Sequence, residues 1–132
     1  MNYFGRLTLA ALIACLPGVA GAWTASNHHK VAPVSDTAFE VVGRPGSAGQ
    51  EYWCAAGEYA HRVLKAKVVQ RIYLVRGPAP AQTANWNRAV LFSLTPPATG
   101  DTSAMIRLSV KQVGSNLSSA LAQLYCLRDI KF

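Results

Sequence analysis

Residues Ser47–Lys67, SAGQEYWCAAGEYAHRVLKAK, decide the fold. Their apolar members Trp53, Ala56, Ala60, Val63 and Leu64 recur at the spacing of one helix face. Ser47 followed by Gln50 has the capping-box form, which predicts that the helix starts there. Arg62, Lys65 and Lys67 fall near its end, where cations suit the helix dipole. Cys54 stands in the second turn, so this helix also carries one half of any cross-link.

Working outward, the flanking segments read as strands. Phe39–Arg44 is a short apolar run ended by Pro45-Gly46. Arg71–Arg76 (RIYLVR) is β-branched and aromatic and stops at Gly77-Pro78, and Arg88–Thr95 (RAVLFSLT) is closed by Pro96-Pro97. Ala79–Asn87 between them reads as an irregular loop. Met105–Val113 alternates, with Ile106, Leu108 and Val110 on one face and Arg107, Ser109 and Lys111 on the other, which predicts a strand with one wet face. Ser115 or Asn116 is placed to cap a second helix whose buried stripe would be Leu117, Ala120, Leu121, Leu124 and Leu127. The expected order is β-α-β-β-β-α. It implies an α+β domain: a small antiparallel or mixed sheet with two helices packed on one face.

The N-terminus has the three parts of a secretory signal. Arg6 supplies the cation, Leu7–Leu16 the apolar run, and Ala20-Gly21-Ala22 the small-residue cleavage pattern. The run falls short of the ~20 apolar residues that span a bilayer, so no permanent membrane span is expected once the signal is removed. A competing reading takes Leu12-Ile13-Ala14-Cys15 as a lipobox that would anchor the chain at Cys15. The domain plan is therefore a signal over 1–22, an extended N-terminal arm over 23–37 and one domain over 38–132. The expected compartment is the periplasm or the extracellular medium.

Cleavage after Ala22 removes Cys15 and leaves Cys54 and Cys126 of the three cysteines. In an oxidising compartment such a pair is expected to bond. Closing a loop of about 70 residues would contribute roughly 4 kcal/mol in the chain-entropy account. A catalytic alternative, a thiol hydrolase or transferase, pairs Cys54 with His61 on the same helix. Two turns separate them by about 10 Å, beyond direct proton transfer.

Other chemistry is sparse. His28-His29 with Asp36 lacks a familiar ligand spacing, and no metal or cofactor is expected. The six acids are scattered, which disfavours a two-carboxylate glycosidase. No phosphate-binding glycine loop, His-Glu-x-x-His or Gly-x-Ser-x-Gly occurs. Asn116-Leu117-Ser118 matches a glycosylation acceptor. The net charge of +7, or +6 without Arg6, suits polyanions in general and names none. Tyr59, Arg62, Lys65, Arg71, Tyr73 and Trp86 lie close in sequence and form the candidate binding surface. The Ala79–Asn87 loop is the candidate binding edge. These features point to a small exported binding or accessory domain without catalysis. Its expected partner is an anionic envelope component, such as an anionic glycan, or another exported protein. Nucleic acid is not expected.

Overall fold

A computed structural model describes residues 21–103 and 108–127. The elements run β1 (Trp23–Thr24), β2 (Lys30–Pro33), β3 (Ala38–Val42), α1 (Gly49–Arg62), β4 (Arg71–Ala79), β5 (Ala89–Ser93), β6 (Asn116–Ser118) and α2 (Ser119–Leu124). The strands form one six-stranded sheet in the order β1-β2-β3-β5-β4-β6. Every pairing is antiparallel. Both helices pack on one face, giving the expected α+β architecture.

The core follows from strand alternation. Val31, Val41 and Val90 are opposite one another across β2, β3 and β5, as are Phe39, Phe92 and Leu74 across β3, β5 and β4. All six side chains are buried towards α1. The Trp53 ring meets Phe92 edge-on at 4.9 Å, and Tyr59 lies 4.7 Å from Phe39 and 5.8 Å from Trp23. Such aromatic contacts add stability beyond area burial.

The Cys54–Cys126 disulfide joins the two helices with its α-carbons 4.9 Å apart, inside the normal span. Beside it the helices touch closely. A β-carbon on Gly57 would lie 2.7 Å from Ala122 Cβ and 2.8 Å from the Gln123 nitrogen. Nothing larger than hydrogen fits there without moving a backbone.

Four local expectations need correction. First, Ser47 does not cap α1. Ala48 is the N-cap, and its N–H donates to the Glu51 carboxylate, which the box pattern assigned to Gln50. Second, the strand expected at Met105–Val113 is not found where it can be seen. Residues 104–107 lie outside the described residues, and 108–113 form no strand, with bends over 110–112 and a turn from 113. The short β6 takes the place beside β4 instead, reached through a turn at Gly114 with φ +93°.

Third, α2 begins later, with Ser118 as N-cap accepting from the Leu121 N–H at 3.2 Å. Asn116 and Leu117 belong to β6. Fourth, the stripe of α2 is turned round. Ser119 and Ala122 are buried, whereas Ala120, Leu121, Leu124 and Leu127 are exposed. The contact at Gly57 accepts small residues only, so the leucines face outward. Residues 23–37, expected as an extended arm, supply β1 and β2 to the sheet and turn or bend over 26–28 and 34–37.

Gly57→Ala tests the helix contact by its sign. In a free helix the change gains about 1 kcal/mol from propensity. Here overpacking against backbone costs about 1–3 kcal/mol. A lower urea midpoint is expected, and a raised midpoint would show that the helices are not this close.

Candidate functional site

The outer face of the sheet, away from the helices, is organised by a buried charge. Glu40 sits on β3 opposite Leu91, which in turn pairs with Arg76. A bulge between Leu74 and Arg76 switches the side of β4 that follows. It brings Arg76 onto the face that carries Glu40. Arg76 Nη2 donates to Glu40 Oε1 at 3.2 Å. The same carboxylate accepts from the Gln82 N–H at 2.8 Å, the Thr83 N–H at 3.3 Å and the Thr83 hydroxyl at 2.9 Å. Glu40 is fully buried and thereby pins the β4–β5 loop to the sheet. Burial raises its pKa, but the Gln82 amide, the Thr83 groups and Arg76 together outweigh this, and the carboxyl ends below its usual range.

That anchored loop closes on itself. The Ala81 N–H donates to Trp86 O at 2.9 Å and the Trp86 N–H to Ala84 O at 2.8 Å. The loop meets the β3–α1 turn where the Gly43 N–H donates to Arg88 O at 2.8 Å. In the turn, Gly46 takes φ +80°, which favours glycine. The Arg44 N–H donates to Ser47 Oγ at 2.9 Å.

Between the two segments lies a groove of about 630 Å³. Asn85, Trp86 and Arg88 form one wall, and Arg44, Pro45 and Ser47 the other. The size suits a small-molecule or sugar ligand. Both arginines are exposed, and among the described residues neither makes an ion pair. Trp86, half-buried, supplies an aromatic side chain to the same wall as Arg88.

Ser47 also lines a neighbouring hollow with His29. The His29 ring is buried, with Nδ1 2.7 Å from Val42 O and Nε2 3.4 Å from Ser47 Oγ. The carbonyl is only an acceptor, so Nδ1 donates to it. The Nε2 contact, at 3.4 Å, is at the long edge of hydrogen bonding. The turn is closed by the bonds between Arg44 and Ser47, and the nearby Glu51 carboxylate is committed to the Ala48 amide.

The structure disperses the residues selected from the sequence. Tyr59 lies in the core against Phe39, and burial raises its phenol pKa, so it presents no surface. Arg71 is tied to Asn116, with Nη2 at 2.6 Å and Nε at 2.8 Å from Oδ1. Tyr73 is half-buried on β4 opposite Ser93, Arg62 is exposed at the end of α1 and pairs with Glu58 at 3.9 Å, and Lys65 is exposed past the helix. Only Trp86 of the six lines the groove. Its cations are Arg44 and Arg88, which the sequence reading passed over. The available signal was Asn85-Trp86-Asn87-Arg88, a polar–aromatic–polar–cationic run closing a loop.

Other candidates resolve similarly. Cys54 is buried and its sulfur is bonded to Cys126, so it offers no thiol to the exposed His61. Among the described residues Cys54, Glu58 and Cys126 are the one metal-like grouping, and two of its three ligand atoms are spent in the disulfide. Asn116 is buried and its amide donates to Thr102 O and Gly114 O, which closes the glycosylation acceptor in the folded chain. Among the described residues no helix is long and apolar enough to cross a membrane. No family model, curated protein or solved structure matches the chain.

Glu40→Gln is expected to cost about 2 kcal/mol at neutral pH, the scale of a charged hydrogen-bond network. A lowered native pKa stabilises above the ordinary carboxylate value, near 4.3, and that contribution disappears as pH falls through the native value. The gap between parent and variant therefore narrows in acid. Urea melts across pH measure it, and a pH-independent gap would refute ionisation of Glu40.

Proposed function

We propose that the chain is an exported, non-catalytic binding domain whose groove takes an anionic glycan of the cell envelope. The observation that carries this reading is the groove itself, lined by Trp86 and by two exposed arginines, Arg44 and Arg88, that make no ion pair among the described residues. A sugar ring stacks on an aromatic wall, and its carboxylate, phosphate or sulfate accepts from Arg44 or Arg88 in a two-pronged geometry. Asn85 and Asn87 add amide donors and acceptors for hydroxyls. The loop bearing these residues is held by Glu40, so little ordering is required on binding, which favours affinity.

Export is supported by the signal pattern over residues 1–22 and by the disulfide, a bond that persists in oxidising compartments. Cleavage after Ala22 would start the mature chain at Trp23, whose ring already packs on Tyr59. A lipoprotein anchored at Cys15 is the competing form. It lies outside the described residues.

Two measurements test the reading. The intact mass of the chain recovered from its host is expected to match residues 23–132 with no alkylatable thiol before reduction. Added diacylglycerol mass would instead establish the lipoprotein. For the groove, a heparin-derived oligosaccharide is the probe. Trp86→Ala is expected to weaken binding about tenfold, consistent with loss of a stacking platform. Arg44→Ala with Arg88→Ala is expected to remove most of the salt dependence. Binding that ignores both changes would sink the assignment.

A further inference from the structure

Seven large apolar side chains are exposed among the described residues, and six fall on two segments. Val63, Val68 and Val69 belong to the end of α1 and the turn beyond it. Leu121, Leu124 and Leu127 belong to α2 and its continuation. The segments are neighbours, because the Ala120 N–H donates to Val68 O at 3.1 Å and the Ser119 N–H to Gln70 O at 2.7 Å. The exposures are substantial: 59% for Val68, 73% for Val69, 54% for Leu124 and 59% for Leu127. A cluster of this kind marks an interaction surface more often than a lone exposed leucine does.

The rim of the patch is cationic. Arg62, Lys65 and Lys67 are exposed around it. Among the described residues the acid alongside is Glu58, which is buried, accepts from the Ser26 N–H and hydroxyl, and pairs with Arg62 Nε at 3.9 Å, whereas Lys65 and Lys67 make no ion pair there. No other Asp or Glu occurs in residues 59–70 or 119–127. The apolar members are all Leu and Val, with no exposed Trp, Tyr or Phe. Protein-binding hot spots favour aromatic anchors and under-use Leu and Val. Flexible aliphatic side chains within a cationic ring instead suit the boundary between acyl chains and anionic headgroups.

We propose that this patch seats the domain on the surface of an anionic phospholipid bilayer. Leu121, Leu124, Leu127, Val68 and Val69 enter the headgroup–acyl boundary. Arg62, Lys65 and Lys67 meet lipid phosphates. The attachment is shallow and reversible, and it uses none of the groove residues, so its failure would leave the groove reading untouched.

The test is flotation of the full chain at limiting lipid. The vesicles contain equal parts phosphatidylglycerol and phosphatidylcholine, or phosphatidylcholine alone. Parent and variants carry the same N-terminal apolar run, so differences between them report the patch. Leu124→Gln with Val69→Gln is expected to lower partitioning onto the anionic vesicles about tenfold, the scale of two lost aliphatic insertions. Arg62→Gln with Lys65→Gln and Lys67→Gln is expected to abolish the preference for anionic over neutral vesicles. All these positions are exposed, so the thermal midpoints of the variants should match the parent and exclude misfolding. Equal partitioning of parent and aliphatic variant would overturn the proposal. So would a parent dimer that the same variant converts to monomer, because a second copy would then be the occupant.

Discussion

The contact between α1 and α2 at Gly57 and Ala122, bonded across by Cys54 and Cys126, is the constraint on which the rest of the molecule depends. It fixes the distance between two helices, one of them only six residues long. A helix of that length has little stability of its own. The disulfide and the close small-residue interface hold it in place. α1 is thereby pressed against the sheet, and Trp53 and Tyr59 are driven between the aromatic side chains of β3 and β5. The chain segment leading into α2 must also pass beside β4, where it forms β6.

The two faces of the sheet solve different problems. The helix face buries aliphatic and aromatic side chains and needs no polar partner along its strands. The outer face has no helix to cover it, and a buried carboxylate takes that role. Glu40 turns a loop that would otherwise move freely into a fixed wall, using two backbone N–H groups, one hydroxyl and one guanidinium. Charge burial of this kind adds little net stability, because desolvation opposes it. Its consequence is positional. Trp86 and Arg88 stand opposite Arg44 because the start of their loop is bound to the middle strand.

How much of this was legible follows from what each signal measures. Hydrophobic period revealed α1, β3, β4 and β5, because those segments bury large side chains against a wide partner. The same signal misread α2. In Leu117–Leu127 the large residues follow a helical stripe, and size normally marks the buried side. Here the neighbouring helix accepts only Ser119 and Ala122, so the smaller stripe is inside. That outcome depends on Gly57, sixty-five residues before Ala122, and no local window contains it. The disulfide was legible because the expected signal takes in Cys15 and leaves one pair of the three cysteines. The groove was legible only at Trp86. Arg44 joins it through the contact between the β3–α1 turn and Arg88, and the loop that carries Trp86 is set by Glu40 through strand register and a bulge in β4, none of which sequence spacing encodes. Tyr59 shows the reverse error, since a tyrosine among cations reads as surface until helix geometry turns it inward.

The position of the two proposed surfaces gives the architecture a simple logic. The groove is built on the turn before α1 and shares no residue with the apolar patch. The patch runs from Val63, just past the last turn of α1, along α2 to Leu127, next to the Cys126 that is bonded to Cys54 in the second turn of α1. A domain resting on a bilayer by that side of the helix pair would leave the groove residues outside the contact. The two sites would then not compete. Cations at both surfaces would favour an anionic environment without requiring one ligand to satisfy them all. The helix pair that presents the patch is held by the same close contact that turns the leucines outward. The contact that holds the two helices together and the leucines that face outward therefore have one origin, the lack of a side chain at Gly57.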